Sequence, residues 1–557
     1  MAEFATLSRR PRLRFYGWGY VDDGLTAEEK ARVRASAARF GATEKEVAAP
    51  RESDFDLRAP RIAAPASLAA MVSTSPYDRL THSLGKSFAD IARMFLRHVP
   101  EPPDLVAFPK SEEDVVAILD WAARANVAAI PFGGGSSVAG GVEPDVGDSY
   151  AGTVSIDLQY LHQVLEVDRT SRAARIQAGA LGPELEAQLK PHGLTLRHFP
   201  QSLQHSTLGG WIATRSGGHY ASLYTHIDDF VESTRTVTPA GVLETRRLPG
   251  SGAGPSPDRM IIGSEGTLGI IVEAWMRLQD RPTHQASASV AFPSMAMAVA
   301  AVRALSQSAL FPSNCRLLDP AEARANGVGD AAILVLGFES ADHPLDAWMA
   351  RALELVSDHQ GVFDAEAAVR ALRGESAEHR QGAAGQWRNA FIRMPYARNL
   401  SVALGLIGDT FETAITWDRF EALYDGVRER AGAAIREICG HEAVVSCRFT
   451  HVYPDGPAPY FSYSALGSKS GNLAESLAKW RAIKQASNAI VVELGGTVTH
   501  HHAVGRDHRS GYEAQSAPLF RAALAAAKSA LDPAGVMNPG VLIDPAGRPV
   551  GIRGAMG

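Results

Sequence analysis

Cysteine is scarce in this chain, with only Cys315, Cys439 and Cys447 among 557 residues. An odd count without a C-x-x-C pair excludes a disulfide framework and a structural zinc site. A reduced, intracellular protein is expected. Long apolar runs are also missing: none approaches the roughly 20 residues of a membrane span. Met1 to Tyr20 carries scattered arginines but no apolar core of a signal peptide. The final Gly-Ile-Arg-Gly-Ala-Met-Gly is no peroxisomal address. Positive charge is not in excess, since 55 Lys and Arg against 61 Asp and Glu give a net charge of −6. That argues against nucleic acid as a partner. A cytoplasmic location is expected.

What is present is globular. Apolar residues at 45% and charged residues at 21% match folded proteins and exclude wholesale disorder. The length fits about two to four domains. A helix is predicted over Thr26–Phe40 behind a Thr26 cap, then a Pro-rich connector over Arg51–Pro65. Ser111 to Asp114 has capping-box spacing ahead of Val115, Ile118, Leu119 and Ala122 at helical period, and Asn126 closes that helix. Val127–Pro131 reads as a buried strand running into glycines, an order typical of α/β nucleotide-binding units. Strands are predicted at Thr153–Asp157 and Ala174–Ala178, a helix at Pro183–Lys190, and extended chain at Val231–Pro239 and Met260–Gly263. Beyond residue 280 strands at Ala286–Phe292 and Ala331–Phe338 alternate with helices at Met295–Ser306 and Pro344–His359. Further helices are predicted at Trp417–Ala431 and Ala474–Ala489, and a loop or gate at Gly374–Gly385.

Three glycine-rich runs stand out. Pro131-Phe132-Gly133-Gly134-Gly135-Ser136-Ser137, then Gly140-Gly141, offers backbone freedom and a nest of N–H groups for phosphate oxygens. It fits neither G-x-x-x-x-G-K-[ST] nor G-x-G-x-x-G. Ser206 to Gly218 and Gly263 to Ile271 repeat the pattern with hydroxyls, which suggests backbone wrapped around one large ligand. Separately, His500-His501-His502 follows Gly495-Gly496 and an apolar stretch. Histidine exchanges protons near neutral pH, and the spaced H-E-x-x-H pair of a zinc site is absent. Acid–base work or cofactor contact is therefore preferred over a structural turn, and no metal is expected.

The three runs resemble the FAD-binding domain of the vanillyl-alcohol-oxidase-type flavoproteins. There the first run holds the pyrophosphate, and the later ones contact the flavin and adenine. Leu531 to Gly540 resembles that family's C-terminal segment, which folds back onto the FAD domain. The resemblance implies an α+β fold: a two-part FAD-binding domain with an inserted α/β cap, or substrate, domain. Its divisions are a mixed, partly helical segment at 1–100, the FAD-binding domain at 101–280, the cap at 281–495, and the returning segment at 496–557. Implied cofactor contacts are Pro131, Gly133, Gly134, Gly135, Ser136, Ser137 and Gly140 in the first run. The second contributes Ser206, Thr207, Gly209, Gly210, Thr214, Ser216 and Gly217, and the third Glu265, Gly266, Thr267, Gly269 and Ile270. Some members attach flavin through a His near the first loop. Phe132 to Gly141 has none, so FAD is expected to be noncovalent.

Within that class the chain resembles the alkyldihydroxyacetonephosphate synthases along nearly its whole length. The carriers are Gly17-Trp18-Gly19-Tyr20, Arg316-Leu317-Leu318-Asp319, Gly408-Asp409-Thr410-Phe411-Glu412-Thr413 with Trp417-Asp418, and Thr499 to His502 with Gly505. The family pattern has Gly where Ala503 stands, and Ser where Thr410 stands. By this resemblance Tyr460, His500, His501, His502 and His198 are catalytic, and Arg316, Arg398 and Thr410 bind substrate. The chemistry agrees in kind: arginine forks suit phosphate, and breaking a C–H bond beside a carbonyl needs a base. The implied activity exchanges the acyl chain of acyl-dihydroxyacetone phosphate for a long-chain fatty alcohol. It gives alkyl-dihydroxyacetone phosphate for ether-lipid synthesis, without net redox change. The alternative on the same fold is an FAD-dependent oxidase or dehydrogenase of a D-2-hydroxy acid or alcohol. Expected partners are a lipid substrate, a membrane surface met peripherally through the Trp387–Pro395 region, and a second copy in a homodimer.

Overall fold

A computed structural model of the chain describes residues 10–42, 46–224, 226–364 and 394–550. The expected gate at Gly374–Gly385, and Trp387–Pro395 up to residue 393, lie outside these residues.

Local signals set the first elements. Thr26 caps the helix Ala27–Arg39 in a capping box with Glu29, and Ser111 caps Glu112–Ala125 with Asp114. Asn126 ends the latter in the left-handed region, which asparagine tolerates. That turn feeds the strand Val127–Phe132. This strand and Leu105–Ala107 flank Gly152–Asp157 in parallel, with Val72–Ser73 antiparallel at one edge. The strands Val127–Phe132 and Gly152–Asp157 are buried almost throughout, as a parallel sheet covered on both faces requires. Residues 536–538 close the other edge: Ala129 N donates to Val536 O at 2.8 Å, and Asn538 N to Ala129 O at 2.9 Å.

A second, antiparallel sheet runs in the order Val164–Asp168, Ala173–Gln177, Ile270–Arg277, Val231–Thr238, Gly241–Glu244. One expectation fails here. Met260–Gly263 is not extended; Asp258–Ile261 forms a helical turn, with Pro257 at its N-cap in the helical region and Asp258 in its first turn.

The third sheet has six antiparallel strands, ordered His284–Phe292, Ala332–Ser340, Asn314–Leu318, Val444–Val452, Pro457–Leu466, Leu406–Glu412. The helices Met295–Gln307, Asp346–Ser357, Trp417–Cys439 and Leu473–Glu493 cover one face. Strand periodicity sorts the side chains. Cys315, Leu317, Cys447, Phe449, Phe411, Phe461 and Tyr463 pack under the helices. Their neighbours Arg316, Arg448, Thr450, Thr410, Tyr460 and Ser462 point the other way, into a cavity.

Candidate active site

That cavity, of about 420 Å³, lies between the uncovered face of the six-stranded sheet and the glycine runs. Gly133 to Ser137, Ser206, Thr207, Gly210, Thr214, Ser216 and Gly217 line it on one side. Two glycines are forced by close approach. A Cβ on Gly134 would lie 1.9 Å from the carbonyl oxygen of His205, and one on Gly133 would lie 2.3 Å from Thr207 Oγ1. With those contacts made, the N–H groups of Gly133 to Ser137 donate to no protein acceptor among the described residues. Five consecutive N–H groups left open on a cavity wall form a nest suited to a pyrophosphate. The Ser137 hydroxyl accepts from Gly141 N at 3.0 Å, shaping the loop. The first run therefore fits the cofactor expected of it.

The remaining residues expected at the cofactor sit behind this wall. Gly266 packs on Pro131 so closely that a Cβ would lie 2.8 Å from the ring, and Gly209 packs as closely on Ala178. Gly269, at φ +156°, faces Thr236. Thr267 and Ile270 are buried, Gly140 takes a positive φ, and none of these lines the cavity. Glu265 serves the backbone instead, its carboxylate accepting from Val504 N at 2.8 Å and Gly505 N at 2.7 Å. Burial lifts its pKa to about 7 against these two donors.

Opposite the glycines stands a cationic wall. Arg316 is the largest fully buried side chain among the described residues. Burial, with Arg448 adding to it, lowers its pKa to about 9. Arg448 pairs with Glu322 at 2.6 Å and lies 4.1 Å over the ring of Tyr460. Burial raises the Tyr460 pKa, with Arg448 opposing. The Tyr460 hydroxyl is 3.4 Å from His502 Nε2. Thr410 and Arg398 line the same space, Arg398 paired with Asp409 at 3.5 Å. The helix carrying Arg398, residues 394–403, is gripped by the Gly-Trp-Gly-Tyr segment. Trp18 N donates to Asn399 Oδ1 and Asn399 Nδ2 to Trp18 O, both at 2.9 Å.

The three histidines share one anchor. Glu412 Oε1 accepts from Thr499 Oγ1 at 2.9 Å and from the backbone N–H groups of His500, His501 and His502 at 3.2, 2.7 and 2.5 Å. Its second oxygen lies against His501 Nδ1. Burial opposes ionisation of Glu412, but His501 and His502 outweigh it, and its pKa lies well below the carboxylate range. The anchored loop splits its side chains: His501 and His502 line the cavity, whereas His500 and Ala503 line a second cavity on the far side. Burial, with His501 adding to it, keeps His500 neutral by lowering its pKa well below the ordinary value. His502 is lowered to about 4 mainly by burial. His198 is one layer back, 3.4 Å from Ser216 Oγ and against Trp211. Burial lowers its pKa to about 3.

Sequence reasoning thus brought Arg316, Arg398, Thr410, Tyr460, His501 and His502 to one cavity, and missed Glu412, Arg448 and His451. Each of the three had a signal. Glu412 and Arg448 are polar residues inside otherwise strand-like runs. His451 stands two residues beyond Phe449, and its Nε2 bonds Gly218 O at 2.9 Å.

Comparison with known proteins agrees with this fold. The family described as "FAD binding domain" matches residues 103–246, and "FAD linked oxidases, C-terminal domain" matches 281–542. An alkyldihydroxyacetonephosphate synthase of Dictyostelium discoideum is 30% identical over 493 residues, spanning 84% of this chain and 77% of that protein. One from Caenorhabditis elegans is 30% identical, spanning 85% and 81%. A solved alkyldihydroxyacetonephosphate synthase superimposes with a TM-score of 0.77 at 27% identity, covering 95% of this chain and 98% of that one. The expected α+β flavoprotein fold and the FAD cofactor stand on these matches.

Proposed function

The chain belongs to the alkyldihydroxyacetonephosphate synthase family of FAD-dependent enzymes, and from that premise we propose that it exchanges the acyl chain of acyl-dihydroxyacetone phosphate for a long-chain alcohol. The reaction releases a fatty acid, forms an ether, and leaves no net oxidation. The N–H nest of Gly133 to Ser137 would hold the FAD pyrophosphate noncovalently, with Ser206 to Gly217 along the flavin. FAD, when bound, supplies reversible electron-pair chemistry at the substrate carbon.

The chain's own residues bind and orient. Arg316, buried beside Arg448, gives fixed positive charge for an anionic substrate group, and its planar fork suits phosphate or carboxylate. Arg398 offers a second such contact. Tyr460, next to His502 and under Arg448, is placed to take or return a proton at the substrate carbon. The observation that carries the proposal is this buried pair of arginines facing a tyrosine–histidine pair across one cavity from a phosphate-type nest. The division at 1–100, 101–280, 281–495 and 496–557 belongs to the same reading, and the match beginning at residue 281 supports its middle boundary. Among the described residues no helix is long and apolar enough to cross a membrane. We propose peripheral contact with acyl chains, and a homodimer.

The test is mass spectrometry of purified FAD-loaded protein given acyl-dihydroxyacetone phosphate and isotope-labelled hexadecanol. Labelled ether with the flavin still oxidised supports the transferase. Absence of ether, with flavin bleached by a hydroxy acid or alcohol, overturns it in favour of a redox enzyme.

A further inference from the structure

The anchored histidine loop is a partition between two cavities. The second, about 790 Å³, is lined by His500, Tyr453, Thr497, Thr499 and Gln515, with an apolar flank from the helix Pro518–Leu531. Across the partition the polar atoms form a chain. His501 Nδ1 lies 3.0 Å from His500 Nδ1, and His500 Nε2 lies 3.0 Å from the hydroxyl of Tyr453.

The chain has one consistent set of protons. The 3.0 Å contact between His501 Nδ1 and His500 Nδ1 holds one proton, and Glu412 Oε2 beside His501 Nδ1, which only accepts, favours that proton on His501. His500 Nδ1 is therefore bare and accepts from that same N–H, so His500 carries its proton on Nε2 and donates it to Tyr453 Oη. The tyrosine O–H is left to point at the second cavity. His451, although close by, takes no part. Its Nε2–H is given to Gly218 O at 2.9 Å, and its Nδ1 is 3.0 Å from Thr450 Oγ1.

We propose that His501, His500 and Tyr453 form a proton relay that connects the catalytic cavity to water in the second cavity. This use of the chain rests on the function proposed above. A proton taken up at His501 Nε2 releases the one on Nδ1 to His500 Nδ1. His500 then gives its Nε2 proton to Tyr453 Oη, and Tyr453 gives its own to water. Each group gains one proton and loses one, and no electrons move. A proton travelling inward runs the same hops in reverse and restores the starting tautomers. The relay also explains why consecutive histidines face opposite cavities: one collects and the next exports.

Two measurements on the FAD-loaded full chain test this. The first is ¹⁵N NMR of histidine-labelled protein. His500 is expected as the Nε2–H tautomer, with its Nε2 resonance moved in Tyr453→Phe. A proton on His500 Nδ1, or a resonance indifferent to Tyr453→Phe, overturns the chain whatever the substrate proves to be. The second is turnover. Tyr453→Phe keeps the ring but removes the hydroxyl. It should slow turnover about tenfold, below the full 10²–10⁴ range of acid–base catalysis because the first acceptor remains. Imidazole in the buffer should restore the rate, and the solvent isotope effect should rise. Wild-type turnover, or slow turnover that imidazole leaves unchanged, overturns the relay. If wild-type protein forms no labelled ether, the functional reading fails while the tautomer measurement still decides the proton chain.

Discussion

Replacing Glu412 by alanine removes the acceptor of four donors at Oε1, the Thr499 hydroxyl and the backbone N–H groups of His500, His501 and His502, and the neighbour of His501 Nδ1 at Oε2. An orphaned buried donor costs about 1–3 kcal/mol. The four are not additive, since residues 499–502 border cavities and some donors can reach water. Loss of a buried charged partner sets the scale at about 3–5 kcal/mol. Glu412→Gln keeps one acceptor oxygen but turns a donor toward His501 Nδ1, and about 1–2 kcal/mol is expected. Urea unfolding followed by tryptophan fluorescence reads both as midpoint shifts at constant slope. The pH dependence separates charge from shape. The folded pKa of Glu412 lies below the ordinary 4.5. A depressed carboxylate contributes stability above its unfolded pKa, and loses it as pH falls through the folded value. The gap between wild type and Glu412→Gln should thus stay level above about pH 5 and close below about pH 4.5. An alanine variant within about 0.5 kcal/mol of wild type, or a gap that ignores pH, would refute the anchoring role.

Other outcomes follow from the same geometry. Tyr460→Phe should lose ether formation by about 10²-fold or more while retaining flavin, because only the hydroxyl facing His502 is removed; full activity would end its catalytic role. Gly134→Ala forces a Cβ into the His205 carbonyl and should cost about 1–3 kcal/mol, with less flavin retained through gel filtration; undiminished flavin content would count against the nest. Arg316→Met should raise KM for the phosphorylated substrate far more than KM for the alcohol, and an equal rise in both would place Arg316 elsewhere. Asn399→Ala breaks the paired bonds to Trp18, costing about 1–3 kcal/mol, and should raise KM through Arg398; an unchanged KM would show that the helix holds its place alone.

Much of the fold was legible because its signals are local. Caps at Thr26 and Ser111, and an alternating run at Ala286–Phe292, depend on near neighbours and appeared as expected. The strands Asn314–Leu318, Leu406–Glu412, Val444–Val452 and Pro457–Leu466 were not predicted. Their uncovered face carries Arg316, Thr410, Arg448 and Tyr460, which alternate with the apolar residues under the helices, a period-2 signal that was present but passed over. Glu412 escaped for a different reason. Its partners lie almost ninety residues on, and nothing near it in sequence shows that it will collect three N–H groups. His500 was grouped with His501 and His502 because adjacency suggests a common role, and only the backbone course at the partition separates them.

The grip of Trp18 on Asn399 spans 381 residues. During synthesis the gripping segment leaves the ribosome long before the helix that it will hold. Until then the backbone N–H and carbonyl of Trp18 lack this partner, although its ring meets Lys86 O and His205 from earlier parts of the chain. Long-range closures of this kind slow folding and leave sticky intermediates. The substrate anchor is thus assembled late from the chain's earliest and middle parts, after the glycine runs have met their neighbours. A nascent chain halted before residue 399 could build much of its cofactor half and still lack any hold on Arg398.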